Sequence, residues 1–245
     1  MASQPIYRFH AQLRAYEPLM WRRFEASKNI SMARLAYIVM ILFEMQAAHL
    51  FSLDVPARDN FMLHLGDENR GRPLFMKVAE EMEDRHLVLP GEDEEEDDGF
   101  ENAAGVNLGQ VLDTPKQTLE LWYDFGDDWR VLLTLEDIYE DESLSGRELP
   151  RVLEGAGYGI IEDCGGPGGL MELASAMAGK KEPRQEELKQ WYALDGVDLN
   201  RFDLDDMNFR LKKVPRIYRD IYEEDLEPTR QSMDILTRRY LQKKG

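Results

Sequence analysis

The chain has 245 residues, 43% of them apolar, enough for a substantial core, which excludes disorder throughout its length. No stretch approaches the ~20 uninterrupted apolar residues that span a bilayer, and the single Cys164 excludes an internal disulfide or a cysteine-rich zinc module. A net charge of −18, from 48 acidic against 30 basic side chains, disfavours non-specific nucleic-acid binding, because counterion release rewards Lys and Arg on phosphates.

The N-terminal residues lack the charged, apolar and small-residue regions of a secretory signal, so a cytoplasmic location without membrane attachment is expected. Tyr7, Phe9, Ala11 and Leu13 alternate with Arg8, His10, Gln12 and Arg14, the two-residue period of a half-buried strand. A turn near Glu17-Pro18 follows, and Trp21 to Phe24 resumes the extended pattern of a hairpin partner. Ser31 can cap a helix to about Met45, with Leu35, Ile38, Val39, Leu42 and Met45 on one face. His49 to Val55 alternates again, Pro56 to Gly71 reads as loop, and Pro73 to Arg85 as a short helix.

Seven consecutive acids from Glu92 to Asp98 repel one another, and a solvated loop over residues 91–99 is expected. After a turn or two of helix from Val106 to Leu112 comes the clearest strand pair. Leu119, Leu121, Tyr123 and Phe125 alternate in its first strand and Val131, Leu133 and Leu135 in its second, joined by a turn at Gly126-Asp127-Asp128. Past Pro150 the pattern is helical, with helices expected over Leu170–Ala178, Pro183–Tyr192, Asp203–Leu211, Ile217–Tyr222 and beyond Pro228. Strands first and helices last indicate an α+β fold, an antiparallel or mixed sheet packed with helices. The division expected is an α+β domain over residues 1–212 and a helical C-terminal extension over 213–245.

Four segments occur in order: Pro18-Leu19-Met20-Trp21-Arg22-Arg23, His49-Leu50-Phe51, Tyr123 to Arg130 (YDFGDDWR), and Glu162 to Gly169 (EDCGGPGG). Together they resemble the Ri-plasmid ORF-three family, the pRiA-type proteins often labelled resolvase-like passengers of mobile elements. The resemblance implies an α+β fold in which the strand hairpin and the glycine-rich loop belong to one domain, and it implies no particular activity. This chain departs from the family at Val131, where many relatives carry His, at Ile160-Ile161, where they carry Pro-Pro, and at Leu170, where Tyr is common.

Asp124, Asp127 and Asp128 crowd one hairpin tip, and Glu162 and Asp163 precede the glycine loop, so a fold that joins the two gathers up to five carboxylates. Such a cluster suits a divalent cation, with Asp127, Asp128, Glu162 and Asp163 as candidate ligands, or a general acid-base pair. The same acids can instead cap turns and helix N-termini, or be neutralised by Arg22, Arg23 and Arg130 in an ion-pair network that needs no ligand. Trp129, Arg130 and Cys164 complete the candidate polar site, although a cysteine between acids, even with His49 as partner, is disfavoured as a thiolate. The glycines carry neither the phasing nor the lysine of a phosphate cradle. No catalytic residue is assigned, and no cofactor other than that divalent cation is implied. The expected role is a non-enzymatic accessory protein of a mobile element, contacting a protein partner through its acidic surface; the alternative is a metal-dependent hydrolase or nucleic-acid-processing enzyme built on the carboxylates.

Overall fold

In the computed structural model, residues 4–66, 69, 71–90, 99–178, 187–188, 190–192 and 197–242 are described. The first strands are β1 (Ile6–Leu13), β2 (Trp21–Ser27), β3 (Phe51–Val55), β4 (Arg85–Val88) and β5 (Phe100–Asn102). β6 (Thr118–Tyr123), β7 (Trp129–Tyr139) and β8 (Arg151–Ala156) complete one eight-stranded sheet in the order β5-β4-β3-β6-β7-β1-β2-β8. All neighbours are antiparallel except β4 and β5. The alternation read in β1 sets its two faces: Tyr7, Phe9, Ala11 and Leu13 are buried, whereas Arg8 and His10 point outward. β1 is central, pairing Phe9 with Phe24 on one side and Leu135 on the other.

Helix α1 (Met32–Leu42) lies across the inner face, and every residue in it except Arg34 is buried. A helix apolar all round needs cover on both sides. The sheet supplies one side, and α5 (Leu204–Leu211) and α6 (Val214–Tyr222) supply the other. Ser31 caps α1 by accepting a hydrogen bond from Arg34 N at 3.1 Å. Further helices among the described residues include α2 (Ala57–Leu65), α3 (Pro73–Glu80), α4 (Gly166–Ala178), α7 (Arg230–Leu236) and α8 (Arg239–Gln242). The fold is therefore α+β with its last helices C-terminal to the sheet. Among the described residues no helix is long and apolar enough to cross a membrane.

Arg22 is the one fully buried cation of the sheet, and it answers carbonyls rather than carboxylates. Its Nε donates to Leu42 O at 2.8 Å, Nη1 to Trp21 O and Ala156 O, and Nη2 to Gly157 O and Tyr158 O. The guanidinium lies between the Phe43 and Phe202 rings. This corrects the expectation that Arg22 neutralises the acids of the hairpin. Arg23 is also elsewhere, on the outer face, paired with Glu136 and Glu154.

Two further expectations are overturned. Residues 57–65, read as loop, are helical; among α2 side chains only Asn60 is buried, so there is no apolar stripe to reveal the helix. The chain after Pro150 begins with edge strand β8, not with helix. The acidic run and half of the expected Pro183–Tyr192 helix lie outside the described residues, and residues 187, 188, 190 and 191 of that segment are helical. On the outer face, β3 to β6 floor a groove of about 700 Å³ whose lining includes Leu50, Trp122, Phe125 and Phe100, with His86 bonded to Asp54 at 2.9 Å.

Candidate metal centre

The hairpin tip is built by aspartates that bend the backbone and hold it. Asp124 adopts the left-handed conformation at φ 52°, and its Oδ1 accepts hydrogen bonds from Gly126 N and Asp127 N. Asp128, also left-handed, returns its N–H to Asp124 O at 2.8 Å. Aspartate tolerates this region through such local bonds, so the turn read at Gly126-Asp127-Asp128 has its physical basis two residues earlier, at Asp124.

The glycine loop packs directly on this tip. Asp127 Oδ2 accepts from Gly165 N at 3.3 Å, and Gly166 leads α4 away at φ 68°. A Cβ on Gly166 would lie 2.2 Å from Asp127 O, and one on Gly169 would lie 1.7 Å from Cys164 O. The glycines are there for close approach of backbone to backbone. Gly166→Ala is expected to cost about 2 kcal/mol or more in urea unfolding, whereas Gly168→Ala, which has open space around its Cβ, should cost far less.

The third segment is the loop from Phe43 to Leu50, between α1 and β3. It carries two more left-handed residues, Glu44 (φ 61°) and Ala47 (φ 56°), and ends at His49. His49 Nε2 lies 3.6 Å from Asp124 Oδ2, 3.7 Å from Glu162 Oε2 and 3.8 Å from Asp163 Oδ1. These spacings exceed a hydrogen bond. One donor atom from each of His49, Asp124 and Glu162 falls within 4.8 Å of the others.

Glu162 is the innermost member, with a side chain only 9% exposed. Its Oε1 accepts from Gln46 N at 2.7 Å and from the Tyr123 hydroxyl at 2.9 Å, while its Oε2 is shielded from solvent and accepts no hydrogen bond among the described residues. Burial pushes the Glu162 carboxyl above the usual carboxylate range, against the opposing pull of those two donors and His49. The Tyr123 hydroxyl, buried beside Glu162, is raised as well, which keeps it a neutral donor. Asp163 stands at the rim with its side chain 81% exposed.

The sequence-named residues thus divide. Asp124, Glu162 and Asp163 converge on one point. Asp127 is occupied by the glycine loop and Asp128 by Arg130, whose Nε donates to it at 2.8 Å, so neither belongs to the tight donor set. Trp129 is buried in the core, and Arg130 lies over the Trp122 ring on the outer face. The Cys164 thiol is pushed up to about 12, by burial first and by Asp127 second, which leaves almost no thiolate at neutral pH. His49 is the donor that sequence reasoning left out of the site. Its signal is the His49-Leu50-Phe51 segment, in which the sequence alone offers His49 only as a partner for Cys164.

Imidazole nitrogen with carboxylate oxygens is a donor set for a borderline divalent cation such as zinc, manganese or iron(II). The three protein donors are joined at the rim by a third carboxylate, the exposed Asp163, so a cation held there would keep coordination positions facing solvent.

Residues 5–209 match the family model described as plasmid pRiA4b ORF-3-like protein. Over 194 residues the chain is 27% identical to the uncharacterized protein y4hQ of Sinorhizobium fredii, covering 79% of this chain and 84% of that one. Its fold is similar to the crystal structure of a protein of unknown function, MM3350, from Methanosarcina mazei Go1. The TM-score is 0.65 at 19% identity, covering 84% of this chain and 98% of the other.

Proposed function

Because the chain belongs to the plasmid pRiA4b ORF-3-like family, whose name gives a genetic origin and no reaction, we propose its function from the site itself: it binds a divalent cation through His49, Asp124 and Glu162. The observation that carries this is the buried Glu162 Oε2, which accepts no hydrogen bond and lies beside two other donor groups. A buried carboxylate oxygen left without a partner is costly, and a small cation held between the donors would answer it. A cation with positions open to water would polarise that water, and metal-assisted hydrolysis is the reaction class such a centre supports.

An accessory role in a mobile element is the second reading. It is supported by the plasmid origin in the family's description, by the net charge of −18 and by the exposed Leu50, Phe100 and Phe125 around the outer groove. In that reading the cation braces the fold, a cytoplasmic protein partner is bound, and nucleic acid is not held non-specifically.

Titration calorimetry with Mn²⁺ or Zn²⁺ tests the cation site. One equivalent is expected to bind, and the affinity should rise with pH as Glu162 loses its proton. The sign follows from the raised Glu162 pKa. A carboxyl that favours its neutral form in the fold contributes stability below the ordinary carboxylate pKa and loses it as pH climbs through the raised value. The cation binds the ionised form, so its stabilising effect grows over that same interval. Absence of binding at pH 7.5 refutes the proposal.

A further inference from the structure

The loop that presents His49 is held from the far end of the chain. Between Phe43 and Leu50 it has two left-handed residues and little regular structure of its own, so its shape depends on anchors. Phe43 O accepts from Ile160 N at 2.8 Å, and Ala47 O accepts from the Tyr222 hydroxyl of α6 at 2.6 Å. Glu44, 9% exposed, receives Arg210 Nη1 of α5 at 2.7 Å on one oxygen and Arg238 Nη2 at 2.6 Å on the other. Arg238 stands between α7 and α8 in a left-handed conformation and reaches Asp206 at 2.9 Å and the Tyr158 hydroxyl at 3.2 Å as well. Tyr240 adds a hydrogen bond to Asp206 at 2.7 Å.

Two of these anchors flank Gln46 and stand just before His49. Gln46, whose N–H binds Glu162 Oε1, lies between Glu44 and Ala47, and His49 is two residues beyond Ala47. Releasing Glu44 or Ala47 frees the stretch that carries both groups. We propose that the C-terminal helices act as a latch on the cation site: Tyr222 and Arg238 are positioning residues that hold the loop in its cation-binding shape. This rests on the reading of His49, Asp124 and Glu162 as a cation site. Coupling of this kind is reciprocal, so a cation that favours the ordered loop also favours the docked C-terminal helices.

The test uses the full chain and Mn²⁺ alone. In wild type, saturation with Mn²⁺ should slow amide hydrogen exchange across residues 230–236, which contribute no donor to the site. Tyr222→Phe and Arg238→Gln should each weaken Mn²⁺ binding by about 5- to 50-fold, and Arg238→Lys should recover part of the loss. Wild type that binds no Mn²⁺ overturns both the site and the latch. Wild type that binds, with unchanged exchange over 230–236 and unchanged affinity in both variants, overturns the latch alone. Where a variant fails to fold, the wild-type exchange measurement still decides.

Discussion

Glu162→Gln is expected to abolish cation binding, raising the dissociation constant by roughly a hundredfold or more, while the apo protein stays as stable as wild type or becomes more stable at neutral pH. The two outcomes have one cause. The Gln carbonyl can keep the hydrogen bonds from Gln46 N and the Tyr123 hydroxyl, and the amide nitrogen takes the place of the oxygen that now accepts no hydrogen bond. Removing the ionised form also removes its desolvation cost and its repulsion with Asp163. For a chain of this size a gain of about 1 kcal/mol would raise the melting temperature by about 2–4 °C. If Glu162 were instead half of a structural ion pair with His49, neutralising it would destabilise the fold by leaving a buried charge unmatched. A melting temperature several degrees below wild type, without added metal, would favour that explanation. Calorimetry on the same variant then reads the binding directly.

The second large effect concerns Arg22. Arg22→Met is expected to destabilise the protein by about 3–5 kcal/mol, because it leaves five carbonyls, those of Trp21, Leu42, Ala156, Gly157 and Tyr158, without this donor. Burial lowers the Arg22 pKa to about 10, partly offset by Glu44, so the group remains charged at neutral pH and its bonds are charge-assisted. Lysine presents one compact ammonium instead of a planar fork, so Arg22→Lys should recover less than half of the loss. Urea denaturation of both variants measures this, and a loss below about 1 kcal/mol would mean that water replaces the guanidinium.

Much of the sheet was legible because its strands keep one face in the core. Tyr7, Phe9, Ala11 and Leu13 in β1, and Leu119, Leu121 and Tyr123 in β6, are buried as their alternation predicts. β8 was not legible, for a reason that leads back to Arg22. Gly155 reads as punctuation in the sequence, yet a Cβ there would meet Arg22 Cδ at 2.7 Å and Trp21 O at 2.8 Å. A glycine in a strand can mark close approach rather than a loop. Phe125 shows the opposite failure, since it continues the alternation of β6 but is exposed beyond the strand end, where Asp124 reverses the backbone.

At the candidate site the sequence pointed to two segments that meet in the structure, but the donor atoms that converge there belong to His49, Asp124 and Glu162 rather than to Asp127 and Asp128. Proximity of the hairpin tip and the glycine loop follows from their shared lack of core character. Which acid faces inward depends on backbone conformation instead. The left-handed Asp124 and Asp163 set those directions, and no spacing rule reveals them. His49 could not be placed because its loop is shaped by Glu44, Arg210, Tyr222 and Arg238, contacts that span more than half the chain.

The position of β1 governs how the molecule can be assembled during synthesis. It is made first, yet it sits in mid-sheet, with Ile6 paired to Tyr139 about 130 residues later. At translation rates of about 5–20 residues per second, the β1–β2 hairpin and α1 wait several seconds or more for β7 to emerge. Throughout that interval the Tyr7 and Phe9 strand has a ladder partner on one edge only. The nascent chain therefore exposes an unfilled strand edge next to its most apolar helix, which makes chaperone contact most valuable before residue 139 has cleared the ribosome.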